Sequence, residues 1–256
     1  MDLQLQDKVV LVTGGSDGLG AAAVVRLAAE GARVAFCGRS AEKLERTRAL
    51  GGPRTLAVRA DVTQPADCER FVAEALAAFG RIDALVNNAG TAAARPFESI
   101  DDAAWAADLE LKLMAAVRLT RSVLPHLKAA GGGSILNVLA LAAKTPGARS
   151  APSSVSRAAG MALTKALSKE LGEHGVRVNA VLIGLIESGQ WERRAAGAGQ
   201  GVDALYAQLA RDNAIPLGRV GRSEEFADLV AFLLSPRAAY LSGTAINLDG
   251  GLSSSV

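Results

Sequence analysis

The residues best suited to chemistry stand near the start of the chain, at Thr13-Gly14-Gly15-Ser16-Asp17-Gly18-Leu19-Gly20. Upstream, Val9-Val10-Leu11-Val12 is apolar and mostly β-branched, as a buried strand is. Downstream, Ala21 to Glu30 is rich in alanine and leucine, as a helix is. A glycine turn between a strand end and a helix start suits phosphate. Glycine permits positive φ and lets a ligand approach without a Cβ in the way. The helix start offers unpaired N–H groups and a partial positive charge. In this setting the spacing points to a nucleotide phosphate. Elsewhere, His126 and His174 read as helix-end residues. Trp105 and Trp191 read as packing, Trp191 being better placed to touch a substrate. No His/Cys/Asp/Glu cluster has metal-ligand spacing, so no catalytic metal is expected.

The elements that must position this turn alternate in type. Arg33 to Cys37 reads as a second strand, Ala41 to Leu50 as a helix, and Thr55 to Val58 as a third strand whose segment ends at Asp61. A helix starts at Pro65 and stops at Gly80, and Asp83 to Val86 is a fourth strand leading into Asn87-Asn88-Ala89-Gly90. A long helix is predicted from about Asp102 to Leu127, with a bend near Pro125. Ser134 to Leu139 is a fifth strand, Ser153 to His174 a helix, and Val176 to Leu182 a sixth strand. Residues 187–213 read as a polar, glycine-interrupted, lid-like excursion with short helices. Ser223 to Leu234 is the last helix, with Ser223 as its cap, and Ala245 to Leu248 is a final strand. Such alternation implies an α/β fold: a doubly wound parallel sheet with helices on both faces. Ligands bind these sheets at the carboxyl ends of the strands. The glycine turn, Arg39, Asp61 and Asn87 to Gly90 all fall there and should converge on one cleft.

The bulk properties narrow the function class. At 256 residues, half of them hydrophobic, residues 1–256 are expected to form a single domain. The 28 basic and 26 acidic residues nearly cancel, which gives no nucleic-acid or membrane-surface signature. Cys37 and Cys68 imply no disulfide framework. The polar start carries no signal-peptide pattern and no apolar run reaches membrane-helix length, so a cytoplasmic protein is expected.

With these residues in view, the sequence resembles the short-chain dehydrogenase/reductase family, and within it the 3-oxoacyl-carrier-protein reductase-like members. The resemblance runs from Lys8 to Gly251. Thr13, Gly14, Gly18 and Gly20 match the T-G-x-x-x-G-x-G cofactor turn. Asp61-Val62 matches the adenine-side pair, and Asn87-Asn88-Ala89-Gly90 matches N-N-A-G unchanged. Gly218-Arg219-Val220-Gly221 and Asp249-Gly250-Gly251 match the family's C-terminal run. The resemblance implies a Rossmann-like, seven-stranded parallel sheet, a small-molecule substrate and a homo-oligomer, tetramer or dimer. It also implies an NAD(P) site at Gly14, Ser16, Asp17, Gly18, Leu19, Gly20, Arg39, Asp61, Val62, Asn88, Ala89, Gly90, Arg157, Gly184, Ile186 and Ser188. The second strand ends in Cys37-Gly38-Arg39-Ser40, with no carboxylate to hold a ribose diol. Arg39 could pair with a 2′-phosphate, whereas Asp17 argues the other way, and a solvated role for Arg39 stays open. The balance favours NADP(H) over NAD(H).

The family's proton machinery is different here. Its members carry a Tyr-x-x-x-Lys segment, a serine on the preceding strand and an asparagine on the long helix. Aligned to that pattern, Glu110 falls at the asparagine, Ala140 at the serine, Ser153 at the tyrosine and Arg157 at the lysine. Independently of alignment, the chain has only two tyrosines, Tyr206 and Tyr240, and neither has lysine four places on. Asn137 to Ala143 holds no serine. Three replacements are considered. Glu110 and Arg157 could form an ion pair. Tyr206 could supply a phenol from the lid, or merely pack there. Lys144 or Lys112 could supply an amine, although both read as surface groups and Lys112 cannot share a helix face with Glu110. The expectation is an oxidoreductase with a non-standard proton path. The alternatives are a catalytically silent NAD(P)-binding scaffold, sensor or oligomer partner, and a lyase or isomerase with Glu110 as base.

Overall fold

The computed structural model describes residues 1–197 and 199–255. Seven strands form one parallel sheet in the order β3-β2-β1-β4-β5-β6-β7. They are β1 (Val9–Thr13), β2 (Arg33–Gly38), β3 (Thr55–Arg59), β4 (Ala84–Asn87), β5 (Gly133–Ala140), β6 (Val176–Ile183) and β7 (Ala245–Leu248). The chain reverses direction across the sheet between β1 and β4, which pair side by side. That switch opens a crevice at the strand carboxyl ends.

Side-chain alternation in the strands sorts the core into two layers. Val10 and Val12 pack with Val34 and Phe36 against the helices α1 (Gly18–Ala29) and α9 (Ser223–Leu234). Val9 and Leu11 point the other way, to a layer built on α3 (Pro65–Phe79) and α5 (Ala115–Ala129), with Phe71, Leu119 and Val123 at its centre. Both faces are covered, which is why the strands read as continuous apolar runs. The remaining helices are α2 (Ala41–Gly51), α4 (Asp102–Leu109), α6 (Ser153–Glu170), α7 (Gly189–Gly197) and α8 (Val202–Asp212). Among the described residues, no helix is long and apolar enough to cross a membrane.

Three local expectations change. Helix α1 begins at Gly18, inside the glycine turn, because the Asp17 carboxylate accepts from the Gly18 N–H at 3.0 Å and caps the helix. The cap of α9 is not Ser223: Arg222 precedes the helix, and the Glu225 carboxylate accepts from its backbone N–H at 2.8 Å. The predicted long helix is not continuous α-helix. It is α4, then one π turn at Glu110–Met114, then α5 with Pro125 inside it. Single π turns are concentrated at functional sites.

Candidate active site

The glycine turn and the N-N-A-G segment are tied together at the crevice. Thr13 Oγ1 accepts from the N–H groups of Asn88 and Ala89 at 2.9 and 3.0 Å. Asn88 Nδ2 donates back to the carbonyls of Thr13 and Gly14 at 2.9 and 3.2 Å. Gly20 packs onto this staple: a Cβ there would lie 2.1 Å from the Gly14 carbonyl oxygen. No other residue type fits without moving the turn. Above it lies a cleft of about 710 Å³. Every residue expected to hold a dinucleotide, from Gly14 through Arg39, Asp61, Gly90 and Arg157 to Ser188, lines this one cleft. Trp191 and Ala140 line it too, whereas Tyr206 and Glu110 do not.

At the β2 end of the cleft, Arg39 is exposed. Asp17 does not stand there as a bare negative charge. Lys43 Nζ lies 2.5 Å from its carboxylate and Arg46 lies 3.6 Å from it. At the opposite end, Arg157 is half-buried and donates to the Val138 carbonyl at 2.6 Å. Burial pulls its guanidinium down to about 10, with the Asp108 charge opposing the shift, so it remains a cation at neutral pH. Gly90 makes room for it: a Cβ at Gly90 would sit 2.6 Å from the Arg157 guanidinium nitrogen.

The structure overturns the reading of the long helix. Glu110 pairs with Arg118, two turns along its own helix, and not with Arg157. It therefore supplies neither the proposed ion pair nor a base facing the cleft. Lys112 is not a surface group. Its side chain is 0 % exposed and it pairs with the Asp108 carboxylate, itself 2 % exposed. Residues two apart on a helix face apart, and Lys112 is the one turned inward. The signal that could have found it is an aspartate four places before a lysine on an apolar helix face, a pairing that lets both be buried. Lys144 is half-buried and ties the end of β5 to β7, donating to the Ala245 carbonyl at 3.0 Å and Asn247 Oδ1 at 3.1 Å.

Lys112 also meets Ser153, the first residue of α6. Its Nζ donates to Ser153 Oγ at 2.7 Å, and the Ala93 N–H donates to the same oxygen at 3.1 Å. A hydroxyl oxygen has two lone pairs, and both are now occupied. The Ser153 O–H is thus left as a donor, on a residue that lines the cleft. Behind this pair, Asp108 accepts from Ser156 Oγ at 2.6 Å, which fixes the carboxylate. Burial lowers the Lys112 ammonium below the ordinary lysine value; the Asp108 contact opposes this and the Arg157 charge adds to it.

Tyr206, on α8, packs beside Ile215 and Val220. Its hydroxyl accepts from the Ser188 N–H at 3.3 Å, and burial raises its pKa, which makes it a poorer acid. Cys37 is buried in the sheet, and burial pushes its thiol up to about 12.

The enoyl-(acyl carrier protein) reductase family profile matches residues 14–253. This chain belongs to the short-chain dehydrogenase/reductase family. Among its short-chain reductase relatives is the protein NovJ of Streptomyces niveus, 34% identical over 249 residues that cover 96% of this chain and 94% of that one. A short-chain oxidoreductase of Pseudomonas aeruginosa PAO1, described as containing an atypical catalytic center and solved with NADPH, shares 38% identity. The match has a TM-score of 0.90 and covers 98% of this chain and 100% of that one. L-sorbose reductase of Gluconobacter frateurii, solved with NADPH and L-sorbose, superposes with a TM-score of 0.94 at 33% identity over 100% of both chains.

Proposed function

We propose that this protein is an NADP(H)-dependent oxidoreductase that interconverts a small carbonyl compound and its alcohol, with Ser153 and Lys112 as the proton path. The carrying observation is the state of Ser153 Oγ, whose lone pairs take N–H groups from Lys112 and Ala93 and whose own proton is left to donate.

The residues of the cleft suit the cofactor. The staple that Gly20 fits keeps the glycine turn open toward phosphate, and the start of α1 adds its partial positive charge. Arg39 is available to a 2′-phosphate, and the Lys43–Asp17 pair removes the main objection to one. Arg157, which lines the same cleft, is assigned to the nicotinamide ribose. Both structural neighbours that carry NADPH support the same assignment. The nicotinamide, when bound, supplies or accepts the hydride.

The chain's own residues handle the proton. In the reducing direction the Ser153 O–H donates to the carbonyl oxygen. As negative charge develops there, its proton moves to that oxygen. Ser153 Oγ is refilled from Lys112 Nζ, and the neutral amine regains its proton from the open cleft back through Ser153 once the product has left. Per turnover, one hydride and one proton are added to the carbonyl. The path joins a weak acid to a better one: a serine hydroxyl alone is poorly acidic, while burial makes the Lys112 ammonium a stronger acid than an ordinary lysine. The start of α6 lends its dipole to the developing oxyanion.

The test is turnover of a carbonyl panel followed by NADPH absorbance. Ser153→Ala should lower kcat by about 10²–10⁴, the usual worth of general acid catalysis, while NADPH binding is kept. Unchanged kcat would reject the path. NADPH binding with no turnover of any substrate by the unaltered protein would return the silent-scaffold reading.

A further inference from the structure

A second, small cavity of about 10 Å³ lies beside Lys112. Thr13, Asn87, Ala116, Lys112 and Arg157 are among its walls. One water needs roughly 10–15 Å³ on this measure and two to four polar partners.

Asn87 carries the decisive atom. Among the described residues, its Oδ1 is the buried side-chain polar atom without a hydrogen-bond partner. The orientation of the amide follows from its neighbours. Thr164 Oγ1 donates to the Gly160 carbonyl at 2.8 Å, so it accepts from Asn137 Nδ2 at 2.9 Å. Asn137 Oδ1 is then free to accept, and Asn87 Nδ2 donates to it at 2.9 Å. A carbonyl cannot donate, so the whole chain of bonds is pinned at Gly160. Asn87 Oδ1 is therefore an acceptor in need of a donor. Lys112 presents the complementary deficit. Its ammonium has three N–H groups, of which Asp108 and Ser153 take two. Leaving either group unmatched in the interior is costly.

We propose that this cavity is a binding site for one ordered water, which accepts from Lys112 Nζ and donates to Asn87 Oδ1. The water completes the shell of the ammonium. It holds Nζ against Ser153 and opposes the loss of charge that burial favours. The second part rests on the Ser153–Lys112 path described above; the first does not.

The experiment is a near-atomic-resolution crystal structure of the NADPH complex, together with two variants of the same shape. Ala116→Val fills the cavity with a methyl group. Ala116→Thr fills it equally and returns a hydroxyl. Ala116 lines the cavity and belongs to neither the cofactor site nor the proton path. The expected result is density within hydrogen-bond reach of both Lys112 Nζ and Asn87 Oδ1. In Ala116→Val the alkaline limb of the kcat/KM profile should move to lower pH by roughly one unit, because the ammonium has lost a charge-assisted partner. Ala116→Thr should move that limb back toward the parent. No density at the site would overturn the proposal, as would Val and Thr variants with identical pH limbs. A Ser153→Ala enzyme of undiminished activity would overturn the proton path alone, and the density would still support the water site.

Discussion

Lys112→Met removes one member of a buried ion pair and leaves its partner. The Asp108 carboxylate, 2 % exposed, would keep the Ser156 hydroxyl but lose its counter-charge. Stranding a buried charge in this way costs about 3–5 kcal/mol. The loss has a ceiling, because the stranded group can take up a proton. Relative to an unperturbed aspartate at ~3.9 in the unfolded chain, that escape costs about 1.4 kcal/mol per pH unit above ~3.9. The ceiling is therefore about 4 kcal/mol at pH 7 and about 1.5 kcal/mol at pH 5. Urea unfolding at the two pH values reads both numbers, and near pH 7 the melting temperature should fall by roughly 10 °C. The sign follows from linkage: the variant's folded state binds the extra proton, so its deficit shrinks as pH falls. Asp108→Asn combined with Lys112→Met should recover most of the loss, since a neutral amide still accepts from Ser156. A single variant within about 1 kcal/mol of the parent at pH 7, or a deficit equal at both pH values, would refute the buried pair.

Other expectations follow from the same geometry. Arg39→Ala should weaken NADPH binding by roughly tenfold or more and leave NADH binding nearly unchanged, as titration of cofactor fluorescence would record. Tyr206→Phe should leave kcat within about twofold, because that hydroxyl serves the Ser188 N–H; a loss comparable with Ser153→Ala would place the acid there instead. Glu225 is held down to about 2 by its bonds from Arg219 and the Arg222 N–H. Its contribution to stability is fully present above its ordinary value of 4.5 and is lost as pH falls through about 2. The melting-temperature gap between the parent and Glu225→Gln should therefore be widest at neutral pH and close on acidification; a gap that stays constant would contradict this.

The sheet and the glycine turn at its carboxyl edge were legible from composition and local motifs. Runs such as Val9 to Val12 are buried on both faces in any register, so their composition alone announces a central strand. The glycine turn and Asn87 to Gly90 are contiguous segments whose geometry is local, and the staple between them joins ends of adjacent strands. Only the tertiary structure brings together Lys112 and Ser153, the residues of the proposed proton path. Lys112 and Ser153 are 41 residues apart, and nothing in either segment states that they touch. Their meeting depends on helical phase, which advances about 100° per residue, so that Lys112 faces Ser153 while Glu110, two places earlier, pairs with Arg118. The π turn at Glu110–Met114 changes the phase again, at the very residues in question. Asn87 Oδ1 is a further case: an amide lacks a partner only with respect to three other elements already in place. Local preference is written into the chain residue by residue, whereas the facing of side chains from distant elements exists only once the core has set their distances and rotations.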